Sequence, residues 1–529
     1  MNGSAAVNAS PVYGAKGVAG INNTPGGLYE AINWIDTAGV FWIFGGVPIV
    51  GASGSSDLWK YEPLTNMWTW VKGPGVYEQA GVYGVKGVPA PSNNPGGRGW
   101  GSIAWTDKNN DLWLFGGDGF DINGNPDILN DLWRYNIASN QWTWMGGSEQ
   151  RYAIGNYGSL RQFSDTGLPS PRMETNSGWV DDNNNLWFFG GNGSVPVGGG
   201  NFEQLDFNDM WCYNVANNQW AWMSGSMNGT NNGSYGSKGV ESPSNLPSPR
   251  FTYTQWKDEA GYFYIWGGSC NNGNLSDIWR YNTNSNNWTW IAGDASPNSY
   301  GNYSRHCEEN GEVEPFSRFE NRTAPSLTGA HIFPAFGGQI ATPDGGGVIN
   351  DLWYFNTQTN EWTWISGDST RNSGGNFGAL GVSAASNMPP ARSGNCTWVD
   401  RDNVVWIFGG QYPTNVNNAL NDLWKFVPAK SCKTCVYCDS SLAINNLHDI
   451  ESDNFQLFPN PNNGAFTLTF PDAENRSIEI TDALGKIITC YQNNSGVKEV
   501  ALSGLSSGVY FARTKHLGRL EILKFVVLK

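Results

Sequence analysis

The residues best suited to chemistry lie in one stretch, YGNYSRHCEENGEVEPFSR, at 300–318. It places His306 and Cys307 directly before Glu308 and Glu309. A histidine beside carboxylates can bind a metal ion or act as a general acid or base, because its charge changes near neutral pH. His306, Glu308 and Glu309 are therefore candidate catalytic residues. The alternative, which the sequence favours, is an acidic surface loop.

A second stretch, DGFDINGNPD at 118–127, is rich in side-chain oxygens. Asp121, Asn123, Asn125 and Asp127 alternate along it, and hard oxygen ligands suit Ca²⁺. The stretch lacks the glycine at the sixth position and the glutamate at the twelfth that a helix–loop–helix calcium loop carries. The pattern favours a plain turn, with calcium as the alternative. We expect no other cofactor.

Three cysteines stand close together in CKTCVYC, namely Cys432, Cys435 and Cys438. Their spacing repeats C-x-x-C twice, which is typical of metal or redox sites. Zinc needs four ligands, and no fourth cysteine or close histidine completes the set. The sequence therefore favours disulfide bonds here.

The net charge of −15 and the pI of about 4.7 exclude one class of partner. An acidic surface repels a phosphate backbone, so we expect no nucleic-acid binding. No apolar run is long enough to predict a transmembrane segment. The opening MNGSAAVNAS shows neither a basic segment nor an apolar stretch, so no signal peptide is visible.

The elements that must position these residues repeat along the chain. Paired glycines recur every 70 to 77 residues, and each pair ends an apolar run such as LWLFGG. An Asp-x-Trp motif follows every pair. Six copies of one unit predict a propeller or a repeat array. The paired glycines are Gly45, Gly46, Gly116, Gly117, Gly190, Gly191, Gly267, Gly268, Gly337, Gly338, Gly409 and Gly410.

Each unit predicts four strands: one after an arginine, the run ending in Gly-Gly, the Asp-x-Trp strand, and a Trp-x-Trp strand. In NDLWRYNIASNQWTW, Tyr135 and Trp142 are seven residues apart, and five units keep this spacing. A constant spacing across a polar turn fixes the register of a hairpin. The tryptophans are expected to pack between neighbouring sheets, because large aromatic side chains fill the widening gap between blades.

The linker after each Trp-x-Trp strand carries its own motif, Tyr-Gly followed 14 residues later by arginine. In unit five the same measurement, from Gly301 to Arg318, gives 17, which suggests an insertion there. The arginines are expected to brace the strand entry rather than bind a ligand. Ligand binding by this motif is the alternative, and its residues are Tyr83, Tyr157, Tyr235, Arg98, Arg172, Arg250 and Arg392.

Over residues 1–428 these motifs resemble kelch repeats, which implies an all-β, six-bladed kelch-type β-propeller, with seven blades as the alternative. The units are longer than the roughly 50 residues of a kelch repeat. Galactose oxidase shares this fold, and its copper site needs two histidines and two tyrosines, one of them linked to cysteine. Only His306 and His331 lie in the propeller, so a copper oxidase is disfavoured.

After a cysteine-containing linker at 429–452, residues 453–529 change character. Short alternating strands separated by glycine turns predict a small Ig-like β-sandwich. The motifs FPNPNNG, DALGK, GLSSGVYF and KFVV resemble the type A sorting domain of the type IX secretion system. The resemblance implies export across the outer membrane of a Bacteroidota-type cell, followed by release or surface anchoring.

The predicted function is that of a secreted or cell-surface binding or adhesion module. One face of the propeller carries the long loops, which are rich in Gly, Asn, Ser and Tyr. Such loops suit an extracellular glycan, and a protein partner is the alternative. The rival class is a carbohydrate-active enzyme, such as a sugar epimerase or mutarotase, with His306 as its base. Fold alone decides none of these functions.

Overall fold

The computed structural model describes most of residues 1–427 and the strands of the C-terminal part. The gaps in the first part are 49–53, 176–177, 199–200, 228, 230–231, 308–310, 322–330, 343–344, 401–403 and 413–417. The described C-terminal ranges are 456–458, 465–469, 476–482, 487–493, 499–503, 505–506, 508–516 and 519–527. The chain divides into two compact units, Met1–Cys438 and Asp439–Lys529. The described residues contain strands and turns but no helix.

The first three repeats form three antiparallel sheets, and in sheets two and three the two short opening strands both pair with the long strand that follows them. Sheet one contains β1 (Ile32–Ile35), β2 (Phe41–Phe44), β3 (Leu58–Glu62) and β4 (Met67–Lys72). Sheet two contains β5 (Arg98–Gly99), β6 (Ile103–Thr106), β7 (Asp111–Phe120), β8 (Pro126–Asn136) and β9 (Gln141–Gly146). Sheet three contains β10 (Arg172–Met173), β11 (Trp179–Val180), β12 (Asn185–Gly198), β13 (Asn201–Asn214) and β14 (Gln219–Ser224).

The next three repeats form sheets four to six. Sheet four contains β15 (Thr254–Lys257), β16 (Phe263–Trp266), β19 (Ile278–Asn282) and β20 (Asn287–Ala292), with a short ribbon of β17 (Ser269–Cys270) and β18 (Gly273–Asn274) between them. The described part of sheet five contains β22 (Ile332–Phe336), β25 (Leu352–Asn356) and β26 (Glu361–Ser366), beside a ribbon of β21 (Arg318–Phe319), β23 (Gln339–Thr342) and β24 (Gly345–Val348). Sheet six contains β27 (Cys396–Val399), β28 (Val405–Phe408) and β29 (Leu423–Phe426).

The hairpin register is the one that the spacing predicts. Tyr135 pairs with Trp142 and Trp133 pairs with Trp144 across β8 and β9. Equivalent pairs form in sheets one, three, four and five. The aromatic side chains then pack in six apolar clusters, each between two successive sheets, and the last joins sheet six to sheet one. The prediction that the tryptophans fill the gaps between sheets is confirmed.

The paired glycines sit where each sheet approaches the next. Gly116 has a φ of +61°, and a Cβ on it would lie 2.8 Å from the Arg172 carbonyl oxygen of sheet three. A residue with a side chain would therefore need a strained backbone conformation here, and its Cβ would collide with the neighbouring sheet. This contact repeats at the first glycine of every pair, and in sheet six the neighbour is Leu28 of sheet one. The first glycine of each pair is thus a contact point between neighbouring sheets, and in β7 and β12 the strand continues through the pair with a shift in register.

The long linkers run along the outer edges of the sheets. Each of the first five donates a backbone N–H to the carbonyl of the second tryptophan in the Trp-x-Trp strand of the sheet that it leads into, for example from Gly87 to Trp144 at 2.8 Å. Equivalent bonds of 2.7–2.8 Å reach Trp70, Trp222, Trp290 and Trp364. The linkers thus cover strand edges that would otherwise present unpaired backbone groups.

The C-terminal unit is a two-sheet sandwich, as predicted. One sheet contains β30 (Gln456–Phe458), β31 (Ala465–Thr469) and β34 (Glu499–Ser503). The other contains β32 (Arg476–Asp482), β33 (Ile487–Asn493), β35 (Gly508–His516) and β36 (Arg519–Val527). Phe466, Ile480 and Phe525 are among the buried side chains of its core.

Candidate functional site

Every arginine of the linker motif lies in a buried polar cluster. Arg172 donates to both carboxylate oxygens of Asp209, at 2.8 and 3.0 Å, and neither side chain is exposed. Asp209 also accepts the Tyr157 hydroxyl at 2.5 Å and the Trp211 indole N–H at 2.7 Å. The aspartate and tryptophan come from the Asp-x-Trp motif, and the tyrosine from the linker. The cluster therefore ties the linker and two strands of one sheet together.

The same cluster recurs around the ring. The pairs are Arg98–Asp131, Arg250–Asp277, Arg318–Asp351 and Arg392–Asp422, and Tyr83, Tyr235 and Tyr303 contact the first three of these aspartates. Because these guanidinium groups and hydroxyls are bonded inside the sheets, the contacts support the bracing interpretation over ligand binding. Leu28 occupies the arginine position of sheet one, and there burial raises the pKa of Asp57.

Unit five has no insertion. Tyr303, not Tyr300, bonds the aspartate of its sheet, and Tyr303 to Arg318 spans the same 15 residues as Tyr83 to Arg98. The expected insertion was wrong because Tyr300-Gly301 repeats the motif three residues early, whereas the true position carries Tyr303-Ser304.

His306 occupies the position of a lysine in other linkers. Its Nε2 lies 3.2 Å from the Gly367 carbonyl oxygen, and its ring packs 4.1 Å from Trp364. Lys16 contacts the equivalent Gly73 carbonyl at 2.7 Å and lies over Trp70. These contacts support a structural role for His306. Glu308 and Glu309, its proposed catalytic partners, lie outside the described residues.

The Asp121 loop forms a capped hairpin turn between β7 and β8. Asp121 is buried and accepts the backbone N–H groups of Asn123 and Asn125 at 2.8 and 2.9 Å. Asp127 instead accepts the Tyr152 hydroxyl and the Ile128 N–H. These contacts support the turn interpretation.

The described cysteines are in different chemical states. Cys212 and Cys270 are free thiols, and the Cys396 thiol lies 3.6 Å from the Ala31 carbonyl oxygen, whereas Cys307 is disulfide-bonded, which the sequence did not suggest. The predicted disulfide candidates Cys432, Cys435 and Cys438 lie outside the described residues.

The axis of the ring carries a set of residues that the sequence analysis missed. Each sheet has one such residue, which lies just before the first long strand. It stands two positions after the linker arginine, or two positions after Leu28 in sheet one. We call these six positions the channel ring: Glu30, Trp100, Glu174, Thr252, Glu320 and Gly394. The five non-glycine members have φ between +46° and +61°, and Gly394 has +62°. Backbone bonds join neighbours, as from Thr252 N–H to the Glu174 carbonyl at 2.6 Å and from Gly394 N–H to the Glu320 carbonyl at 3.2 Å.

Three carboxylates meet inside this ring. Glu30, Glu174 and Glu320 come from sheets one, three and five, and one oxygen of each lies within 4.8 Å of the others. All three side chains are buried, at 3%, 7% and 7% exposure. Residues from three non-adjacent sheets can meet only on the axis of the ring. Among the described residues, no other three potential metal ligands converge in this way.

Aromatic side chains accompany the carboxylates. Trp100 is 39% exposed, the only exposed tryptophan among the 27, all of which lie in the described part. Its ring meets Tyr29 edge-on at 5.8 Å, and Phe251 and Phe319 form a similar contact at 6.4 Å. Burial, and then the carboxylates of the channel ring, raise the pKa of Tyr29 to about 12. The ring thus combines aromatic faces with hydrogen-bond acceptors.

A separate cavity lies beside sheet six. The described part of this sheet has three strands, and Asn2 pairs with Leu423 at the start of β29. A Cβ on Gly3 would meet the Asn421 carbonyl oxygen, just as one on Gly147 would meet the equivalent Asn130. Residues 1–3 therefore occupy the end of the fourth-strand position of sheet six. A cavity of about 530 Å³ lies alongside, and Phe377, Trp424 and Phe426 are among its lining residues.

Comparison with known proteins finds similarity both to kelch-repeat proteins and to a secretion sorting domain. Residues 456–528 match the family model described as "Secretion system C-terminal sorting domain". Kelch domain-containing protein 10 from Bos taurus and from Homo sapiens is 25% identical over 324 residues, which cover 60% of this chain and 55% of the relative. Kelch repeat-containing protein 2 from Saccharomyces cerevisiae is 25% identical over 274 residues, 50% of this chain and 24% of the relative. The chain thus spans about half or less of the length of these curated relatives.

The sorting domain assigns the chain to type IX export, to the cell surface or the extracellular space. In the part of the chain that the structure describes, no helix is long and apolar enough to cross a membrane. The glycine pairs, the ring of sheets, the kelch relatives and the sorting-domain match lead to one conclusion: the chain is a kelch-repeat β-propeller protein with a C-terminal type IX secretion sorting domain.

Proposed function

We propose that the propeller is an extracellular binding module that recognises carbohydrate at the channel ring. The observation that carries this proposal is Trp100, an exposed tryptophan in a left-handed backbone conformation. A bulky residue at positive φ costs about 1–3 kcal/mol, and such strain concentrates at functional sites. In this protein the other tryptophans are at least partly buried. The exposed one lies on the ring that also holds the carboxylates.

The neighbouring groups have the chemistry that a sugar needs. An aromatic face packs against the apolar C–H face of a pyranose, and carboxylates accept hydrogen bonds from its hydroxyl groups. Ligand sites in proteins combine apolar and aromatic walls with a few polar groups in this way. The linker tyrosines Tyr83, Tyr157 and Tyr235, which were the alternative ligand-binding residues, donate their hydroxyl groups to aspartates, so we place the candidate site at the channel ring instead.

A glycan array probed with the full chain tests this proposal. We expect binding to a defined set of glycans, and Trp100→Ala should weaken it about tenfold or more, as truncation of a central aromatic residue does. Tyr300→Ala is the matched control, because Tyr300 is an aromatic residue 56% exposed on a linker. Equal binding by the wild type and the Trp100 variant would reject the channel ring as the glycan site.

A second candidate function is the binding of a polypeptide strand at sheet six. In sheet two, Trp142 and Trp144 of β9 cover Tyr135 and Trp133, whereas the equivalent Trp424 and Phe426 line the cavity. An extended Trp-x-Trp segment would add a strand to β29 and fill this space. The peptide QWTWMGG, which copies residues 141–147, should bind the full chain, and the same peptide with both tryptophans replaced by alanine should not. Equal binding of the two peptides would reject this function.

No described contact favours the alternative of a sugar-converting enzyme with His306 as its base. His306 lies on a linker at the edge of sheet five, packed against Trp364, whereas the three carboxylates lie on the axis of the ring.

A further inference from the structure

Sheet two has a second aromatic group besides Trp100. Tyr152 lies in the linker after β9 and stacks on Phe202 of β13, with 4.8 Å between the ring centroids. Phe202 is 37% exposed. Tyr152 has a φ of +57°, and among the described non-glycine residues Tyr152 and Trp100 are the two aromatic ones with positive φ. Both adjoin sheet two, and backbone strain of this kind concentrates at functional sites.

The repeat does not require an aromatic residue at the place of Tyr152. Asn298 holds the same place beside sheet four, since Tyr152 and Asn298 donate their backbone N–H groups to the carbonyls of Ile128 and Asn274. The Asn298 side chain also accepts the Asn274 N–H at 2.9 Å, and asparagine tolerates a positive φ better than tyrosine does. Beside sheet two, Asp127 accepts the equivalent N–H of Ile128 at 2.9 Å. The tyrosine ring is therefore not needed to bind this N–H, and it supports the aromatic stack instead.

Strand pairing gives the distance between the two aromatic groups. Gly99, next to Trp100, pairs with Asp118 of β7, and Asp118 pairs with Ile128 of β8. On the far side of β8, Tyr152 donates its N–H to the Ile128 carbonyl at 3.4 Å. Neighbouring strands are about 4.8 Å apart, so the backbones of Gly99 and Tyr152 are three such spacings, or about 14 Å, apart. A single sugar ring cannot span that distance, whereas a chain of several rings can.

Phe202 is the member of the stack that is left to contact a ligand. Arg151 lies over the Tyr152 ring, 5.3 Å from its centroid, and pairs with Asp127 at 3.9 Å. The Tyr152 hydroxyl donates to the same carboxylate. These contacts fix the tyrosine beneath Phe202, whose exposed ring can pack against the apolar face of a sugar.

We propose that the carbohydrate site is elongated and takes a linear, neutral glycan of several sugar units, which contacts Trp100 at one end and Phe202 at the other. This inference rests on the carbohydrate function proposed above, to which it adds the length of the ligand. Two separated aromatic platforms suit a chain of sugars, because each sugar ring offers an apolar face and hydroxyl groups along its edge. The net charge of −15 disfavours an acidic glycan.

Titration calorimetry of the full chain with oligosaccharides of increasing length tests the proposal. The probes are the cello-, xylo-, manno- and chito-oligosaccharides from disaccharide to hexasaccharide. For a series that binds, we expect the affinity to rise with length until the chain reaches both platforms and then to stay constant. Oligogalacturonates, which carry a carboxylate on every unit, should bind more weakly than that series.

Phe202→Ala should remove the gain that length provides. We expect its affinity for the hexasaccharide to fall about two- to tenfold, as the loss of one aromatic contact does, and its affinity for the disaccharide to stay unchanged. Trp100→Ala should weaken the binding of both. Phe163→Ala is the matched control and should bind as the wild type does, because Phe163 is a phenylalanine 40% exposed in the linker along the edge of β14.

The outcomes separate the length of the site from the carbohydrate function itself. An affinity that does not depend on chain length would overturn the elongated site and leave the carbohydrate function standing, and so would an equal loss for Phe202→Ala at every length. Tighter binding of the oligogalacturonates than of the neutral series would also overturn the proposal. No binding of any oligosaccharide would reject the carbohydrate function and the elongated site together. The length dependence of the wild type needs no variant, so the proposal stays falsifiable if Phe202→Ala fails to fold.

Discussion

The buried arginine clusters allow a quantitative prediction of how much unfolding free energy one arginine contributes. Arg172 is the position at which we test it. Arg172→Leu places in sheet three the residue that sheet one has at Leu28. The change removes two charge-assisted bonds of 2.8 and 3.0 Å to Asp209 and the donors to the Gly190 and Ser170 carbonyls. Breaking a fully buried ion pair by removing one partner costs about 3–5 kcal/mol, because the remaining charge stays buried. Tyr157 and Trp211 still donate to Asp209, so we expect about 4 kcal/mol rather than more.

Guanidinium denaturation followed by tryptophan fluorescence measures this loss of unfolding free energy. Leu28→Met is the matched control at the equivalent position of sheet one and should cost less than about 1.5 kcal/mol. Adding Asp209→Asn to Arg172→Leu should recover part of the loss, because it removes the uncompensated charge. A loss below about 1 kcal/mol in the single variant, or a double variant no more stable than the single, would refute the reasoning.

Two further predictions concern titration and the His306 position. Burial, and then Asp127, raise the pKa of Asp118 to about 6 from 3.8. The stability that this group contributes is therefore full below about pH 4 and is lost as the pH rises through 6. Melting temperatures should show that Asp118→Asn flattens this part of the profile, and parallel curves for the variant and the wild type would contradict the assignment. His306→Lys should stay within about 0.5 kcal/mol of the wild type, since lysine makes the same contacts in other linkers, whereas His306→Ala should lose about 1 kcal/mol. A lysine variant less stable than the alanine variant would contradict the structural role.

The sequence predicts the strands and their pairing because those features are local. Trp142 follows Tyr135 at an offset of seven positions, and a short polar turn with that spacing allows one register. The buried tryptophans follow from the same pattern, since a repeated sheet must cover both of its faces. The sorting domain can be recognised from the sequence for a similar reason, because its motifs lie in order within one short segment.

The channel ring could not be predicted in the same way, because it depends on closure. Glu30, Glu174 and Glu320 are about 145 residues apart, and nothing near any of them indicates the other two. A signal was available in the positions two residues after each linker arginine. Finding it required Leu28 to be aligned with the arginines and unit five to be aligned on Tyr303 instead of Tyr300. Whether a side chain at one of those positions is exposed or buried depends on how the six sheets close into a ring, and the local sequence pattern does not determine it.

The alternation of residues around the channel ring sets a rule for how such a chain can change its number of repeats. Acidic residues occupy the odd sheets, whereas Trp100, Thr252 and Gly394 occupy the even ones. The site thus has threefold character although the scaffold repeats six times. Gain or loss of a single repeat would bring two acidic positions together or separate them unevenly. A descendant of this protein that kept the three carboxylates together could therefore gain or lose repeats only in pairs. The unit by which this propeller can change its length is thus the double repeat.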